Sequence, residues 1–178
     1  MGTVEIKEKE NYPKFFTATI LEWRMLLKKD VYKDILIDSL RFLVRKKRVI
    51  VYGFVIMPNH VHIIWQIQLD HRKEDVQRDF MKYTAQTALR MMMNNDPASL
   101  PDYHVSAVDR KYQFWERKGL STDLFTRRTL EQKLKYIHEN PLQEIWKLCK
   151  KPEDYKYSSA AFYEKGQSEW EFLTHYKQ

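Results

Sequence analysis

The chain has 178 residues, 43% hydrophobic, 31% charged and 14% aromatic, with a formal net charge of +7. That length suits one compact domain, 1–178, with a core over roughly 12–163 and a tail over 164–178, and leaves too little for a second. Cys149 stands alone, which excludes intrachain disulfides and cysteine-rich zinc modules, and no apolar run is long enough to span a bilayer.

The first ten residues, MGTVEIKEKE, are charged and lack an apolar centre, so no secretory leader is expected. Gly2 carries little weight as a myristoylation signal, and the single cysteine makes a reducing cytoplasm the expected compartment. FFTATIL (15–21) alternates and is rich in β-branched and aromatic residues, which predicts a strand. Asp30 is the expected cap of a helix to about Lys47, with Leu36, Leu40, Leu43 and Val44 inward. RVIVYGFVIM (48–57) is a nearly continuous apolar run, as a central strand requires. Pro58-Asn59 is a turn pair, and HVHIIWQI (60–67) returns as the second arm of a hairpin. From Lys73 to Met93 the period is helical through Val76, Phe80, Tyr83, Thr87 and Met91. A long loop (94–109) follows, then a short strand KYQFWER (111–117). A helix over 127–140 has Thr129 as its expected cap and Pro141 at its end. The fold class is therefore α+β: a ferredoxin-like βαββαβ antiparallel sheet with helices on one face and an additional C-terminal helix.

Side chains alternate along a strand, so His60, His62, Ile64 and Gln66 share one face, and Val61, Ile63, Trp65 and Ile67 take the other. The second set is the better core. The two imidazoles then stand side by side, a geometry that can hold one metal ion; two ordinary hydrogen-bonded histidines would look the same in sequence. Two histidines need a further ligand. On the helix at 127–140, Leu130, Leu134 and Ile137 form the apolar stripe, while Tyr136 and Asn140, four apart, share a different face. Each has an ordinary reading, as a boundary aromatic and as a helix-end residue before proline. With the histidines they make a metal trio, His60, His62 and Asn140, one turn from a tyrosine. That is the set that phosphodiester chemistry through a covalent tyrosine needs.

The segments YGFVIMPNHVHIIW, FWERKG, YIHENP and YKYSSA together resemble the HUH single-tyrosine transposases of insertion sequences, and within them the REP-associated tyrosine transposase branch. The first and third segments carry most of the specificity. The resemblance implies that Tyr136 is the nucleophile, that His60 and His62 are catalytic metal ligands and that Asn140 is the third ligand. It further implies Mg²⁺ or Mn²⁺ as cofactor, single-stranded or hairpin DNA as partner, and a soluble monomer or homodimer that cleaves and rejoins DNA through a 5′-phosphotyrosine. The loop at 94–109 is a departure from that pattern.

Between Arg110 and Lys151 eleven Lys/Arg face five Asp/Glu, a surplus near the tyrosine. Arg127, Arg128, Lys133 and Lys135 are the expected phosphate contacts, since cations there release counterions from DNA. RKKR (45–48) reads as a solvated helix end. Phe114 and Trp115 could stack bases, with core packing at least as good a reading. Two other functions fit the composition. A non-catalytic nucleic-acid-binding module accounts for the charge but not for the His60–His62–Tyr136–Asn140 set. A hydrolase with a metal-activated water needs an acidic partner, and Glu139 is the one obvious helix candidate.

Overall fold

The computed structural model describes residues 11–166 and 169–178, so the readings of the first ten residues lie outside the described residues. Four strands, β1 (Lys14–Thr19), β2 (Val49–Ile56), β3 (His60–Ile67) and β4 (Leu120–Asp123), form one sheet in the order β2-β3-β1-β4. Every neighbouring pair is antiparallel. Helix α1 (Asp30–Arg45) links β1 to β2, and α2 (Lys73–Asn95) links β3 to β4. The two interleaved split βαβ units are the ferredoxin-like arrangement expected from the sequence.

The strand alternation divides the sheet into two faces. Phe16, Ala18, Val51, Val61, Ile63 and Trp65 join α1 and α2 in the main core. Tyr52, Val55 and Ile64 meet Leu130, Leu134 and Ile137 of α3 (Arg127–Glu139) on the other. A β-bulge between Val51 and Gly53 puts two successive residues of β2 on the α3 side. A Cβ on Gly53 would sit 2.5 Å from Leu134 Cδ2 and 3.2 Å from Ser159 Oγ, so the missing side chain is what lets α3 lie close on the sheet.

The chain after Lys151 closes the β2 edge. Ser159 N donates to Phe54 O (2.9 Å) and Ile56 N donates to Tyr157 O (2.9 Å). Phe54 N in turn donates to Ser159 Oγ (3.0 Å), while the Tyr155 and Tyr163 hydroxyls donate to Ile56 O and Tyr52 O, each at 2.7 Å. An open strand edge would be a template for another chain, and this one is covered. A short helix, α4 (Ala160–Lys165), follows.

Five expectations are corrected. The fourth strand is Leu120–Asp123 and not 111–117. The earlier segment still flanks the end of β1, with Trp115 bridging Ile20 and Glu116 N donating to Thr19 O (2.8 Å). The register slips between the two stretches where Gly119 passes over the Phe16 ring. In α2 the buried stripe is Val76, Phe80, Thr84, Ala88 and Met92, because small residues at 84 and 88 admit the neighbouring core; Tyr83 is exposed. Helix α3 is capped by Thr126, whose side chain accepts from Thr129 N, and Thr129 supplies the reciprocal bond. At α1 the cap position is Lys29, and Asp30 instead binds Lys33 (2.8 Å). RKKR splits: Lys47 turns left-handed past the helix end, while Arg48 reaches Asp79 of α2 (2.9 Å).

Gly119→Ala tests the crossing over Phe16, which is fully buried between Trp65 and Phe80. A methyl there overlaps the Phe16 ring edge. We expect a loss of about 1–3 kcal/mol in urea unfolding with an unchanged slope; unchanged stability would show that the ring moves aside freely.

Candidate active site

The tight turn at Pro58-Asn59, closed by Met57 N donating to His60 O (2.8 Å), starts β3 at His60. His60 and His62 therefore point to the α3 side, with ring centroids 4.8 Å apart. The pairing of β1 with β3 sets Thr17 opposite His62 and Thr19 opposite His60. Phe15 stacks on His62 at 5.1 Å, and Tyr136 of α3 stands edge-on to His62 at 5.5 Å. Tyr136 is 43% exposed, open to a ligand, whereas His62 is 6% exposed.

Each histidine is held through its Nδ1. His60 Nδ1 lies 2.7 Å from Asn59 Oδ1, and His62 Nδ1 lies 2.7 Å from Thr17 Oγ1. Asn59 Nδ2 donates to Trp23 O (3.3 Å), and a carbonyl can only accept. That fixes the amide's orientation, so Oδ1 must accept from His60 Nδ1–H and the Nε2 lone pair is left available. At His62 the Thr17 hydroxyl, which can donate or accept, holds Nδ1 and leaves Nε2 facing away from that contact. No hydrogen bond among the described residues engages either Nε2. Burial lowers the His60 imidazole to about 4 and that of His62 to about 3, with the charges of His60 and Lys133 adding to the effect at His62. Both rings are neutral near pH 7, the form that ligates metals, and their outward hydrogen bonds are those that orient metal-bound histidines.

Asn140 ends α3 and is 2% exposed. Its side chain makes no hydrogen bond to either histidine, and its amide nitrogen is buried without a partner, so the fold does not use this amide. No cluster of three His, Cys, Asp or Glu side chains able to share a metal occurs among the described residues. A cation here would have to take an amide, phosphate or water beside the two imidazoles. The two neutral Nε2 atoms fit a divalent ion completed by oxygen ligands, and no contact among the described residues ties the uncommitted Asn140 amide to them. Glu139 pairs instead with Lys135 (3.8 Å) on the exposed side of α3.

The four cations proposed for DNA separate. Lys133 places its ammonium 4.6 Å from the Phe15 ring centroid and 5.4 Å from that of Tyr136, directly at the site. Arg127 is paired with Glu131 (2.8 Å) and lies over Tyr176, on the flank of α3 away from Tyr136. Lys135 shares that flank and Arg128 is exposed. Phe114 and Trp115 are buried core residues, and Trp115 Nε1 donates to Thr84 Oγ1 (3.0 Å). Sequence reasoning did not single out His138, buried with Nε2 2.8 Å from Ser159 Oγ, where YIHENP meets YKYSSA; burial lowers it to about 4. Nor did it find Thr17 or Asn59, whose roles depend on pairing across the sheet.

No family model matches the chain, and no curated protein does. Among solved structures, the fold is similar to that of a REP-associated tyrosine transposase bound to a REP hairpin, with TM-score 0.63, 16% identity, and coverage of 84% of this chain and 77% of that one. A protein assigned as a transposase of Deinococcus radiodurans R1 overlaps 72% of this chain and 91% of its own at 18% identity, with a TM-score of 0.48, too loose to build on. The fold expected from the sequence resemblance is thus met. No helix among the described residues is long and apolar enough to cross a membrane.

The buried histidines make stability depend on pH. His60, His62 and His138 all titrate lower in the folded protein than the ordinary value near 6.5. The unfolded chain therefore takes up protons first as pH falls. Without metal, stability should be full above about pH 6.5 and decline steadily toward pH 4, by about 1 kcal/mol or more per histidine at pH 5. Urea midpoints at pH 7.5 and 5 check this; a flat profile would mean that the rings are not buried as described.

Proposed function

We propose that the protein is a metal-dependent tyrosine nuclease and strand transferase acting on single-stranded or hairpin DNA. The observation that carries the reading is the convergence of His60, His62 and an exposed tyrosine from a different element, with Tyr136 5.5 Å from His62 between ring centroids. The fold likeness to a hairpin-bound transposase supports it. So does the net charge of +7.

Tyr136 Oη gives its proton to solvent and attacks phosphorus, the bond from phosphorus to the 3′ oxygen breaks, and the strand leaves with a 3′-hydroxyl after that oxygen gains a proton from solvent. The 5′ phosphate stays on the tyrosine. Attack by another 3′-hydroxyl reverses the step and rejoins DNA, because the phosphotyrosine conserves the bond. Mg²⁺ or Mn²⁺ held by His60, His62 and Asn140 would supply polarisation of the scissile phosphate. Thr17 and Asn59 hold the imidazoles in the orientation this requires. Phe15 walls off His62 and carries Lys133, whose charge draws the strand's phosphates toward Tyr136. A single tyrosine gives no route to cutting both strands of a duplex, which favours unpaired substrates.

Incubation with labelled hairpin DNA and Mn²⁺ should give an SDS-resistant adduct joined through the 5′ phosphate. Tyr136→Phe should abolish it while leaving DNA binding intact; an adduct that persists would displace Tyr136 as nucleophile. His60→Ala and His62→Ala should lose both cleavage and Mn²⁺ binding by calorimetry, with Asn140→Ala milder because water can replace an amide. If wild type forms no adduct with any unpaired substrate, the non-catalytic binding module becomes the better reading.

Among the cations, Lys133→Ala should weaken DNA binding most and reduce the slope of log affinity against log salt by about one. Arg127→Ala and Lys135→Ala, already paired to glutamates, should change it less. Equal effects would place the strand along the outer flank of α3.

A further inference from the structure

With Phe114 and Trp115 in the core, two other tryptophans lie near the histidines, Trp146 against the His60 ring and Trp23 through the bond of its carbonyl to Asn59. Trp23 is 66% exposed, and both Glu22 and Trp23 have left-handed backbones, with φ of 52° and 57°. Two consecutive non-glycine residues in that region persist only where the surroundings hold them. Here Glu22 N donates to Glu116 Oε1 (2.9 Å), Trp23 N to Ile20 O (2.9 Å) and Leu21 N to Phe114 O (2.8 Å). Trp23 O accepts from Asn59, the residue that orients His60. The turn is thus fixed to the site and presents an indole to solvent. Trp146 stands against the same histidine, its ring centroid 6.0 Å from that of His60. It is half-buried on the cluster beneath α3, in a turn where Trp146 N donates to Gln143 O (2.8 Å). Exposed Lys147 follows it, paired with Glu144 (2.6 Å), and Lys150 and Lys151 continue the positive stretch.

We propose that Trp23 and Trp146 form a stacking platform for unpaired nucleobases of a strand whose phosphate lies at His60 and His62. The proposal rests on the function argued above and adds how the strand is gripped. Every base has a π face, so rigidly held indoles grip single strands with little sequence preference, and adjacent lysines follow the backbone. Fully paired DNA cannot offer its base faces, so the platform would also account for selection of unpaired DNA. A second copy of the chain could also cover an exposed indole. The lysines beside Trp146 and the link from Trp23 to His60 favour a nucleic acid.

The test uses the full chain without metal, titrated with single-stranded oligonucleotide carrying 2-aminopurine and with a fully paired hairpin lacking unpaired flanks. Trp23→Ala and Trp146→Ala should each weaken single-strand binding about ten-fold. The phenylalanine variants should stay near wild type, and paired-hairpin binding should be unchanged. 2-Aminopurine emission should be quenched by wild type and less so by the alanine variants. Trp23 is exposed, so its variant should fold and keep the platform testable if Trp146→Ala does not. Wild-type single-strand affinity in Trp23→Ala, with the adduct still formed at saturating DNA once Mn²⁺ is added, would overturn the platform and leave the proposed function standing. A dimer that Trp23→Ala converts to monomer in sedimentation would also overturn it, by showing that a second copy covers the indole. Failure of wild type to bind any single strand would remove both.

Discussion

The pairing register of β1 with β3 is the constraint on which the site depends. With Thr17 opposite His62, the hydroxyl falls 2.7 Å from Nδ1, and Phe15, two residues before it on the same face, stacks on the ring. A slip by one residue would turn both histidines into the main core and bring the large apolar side chains of Val61, Ile63 and Trp65 out to the α3 face. Burial on both faces makes such a slip costly, so the core enforces the site's geometry. The bulge at Gly53 completes it by admitting Leu134 close to the sheet, which brings Tyr136 on the same helix to His62.

The second constraint is electrostatic. Two imidazoles 4.8 Å apart between ring centroids, one nearly buried and beside a lysine, disfavour protonation of either. The chain of bonds from Trp23 O through the Asn59 amide to His60 then settles which nitrogen carries the proton. A strained turn beside the hairpin tip and the available lone pair at His60 are parts of one arrangement. Lys133 adds a fixed positive charge beside the tyrosine, so the pocket suits an anion as well as a cation, as a phosphate-bound metal site requires.

The alternation of HVHIIWQI assigns the two faces of β3 from sequence alone, and the four-residue spacing of Tyr136 and Asn140 places them off the apolar stripe. Both readings use local periodicity, which one chain segment carries entirely. The fourth strand was harder because FWE has strand-forming residues, yet its rings are buried in the core while Leu120–Asp123, polar and short, makes the ladder with β1. The stripe of α2 is not legible in sequence because Thr84 and Ala88 are inward for their small size, which hydrophobicity does not signal. Arg127 and Lys135 look like DNA contacts in sequence; the carboxylates that pair with them are visible at i+4, but the flank of α3 they occupy is set by tertiary packing. Thr17, Asn59, Trp23 and Trp146 gain their places from contacts across the fold that no local pattern reports. Asn140 is the member of the sequence-derived trio that the structure leaves least tied to the others.

The most direct measurement is the anomalous scattering of Mn²⁺ in crystals of the Tyr136→Phe protein with a short single-stranded oligonucleotide. We expect one ion bound through Nε2 of both His60 and His62, touching a phosphate oxygen, with that phosphorus within van der Waals reach of the ring at position 136. An ion bound elsewhere, coordination through Nδ1 with loss of the Thr17 and Asn59 contacts, or a strand that passes far from position 136 would contradict it.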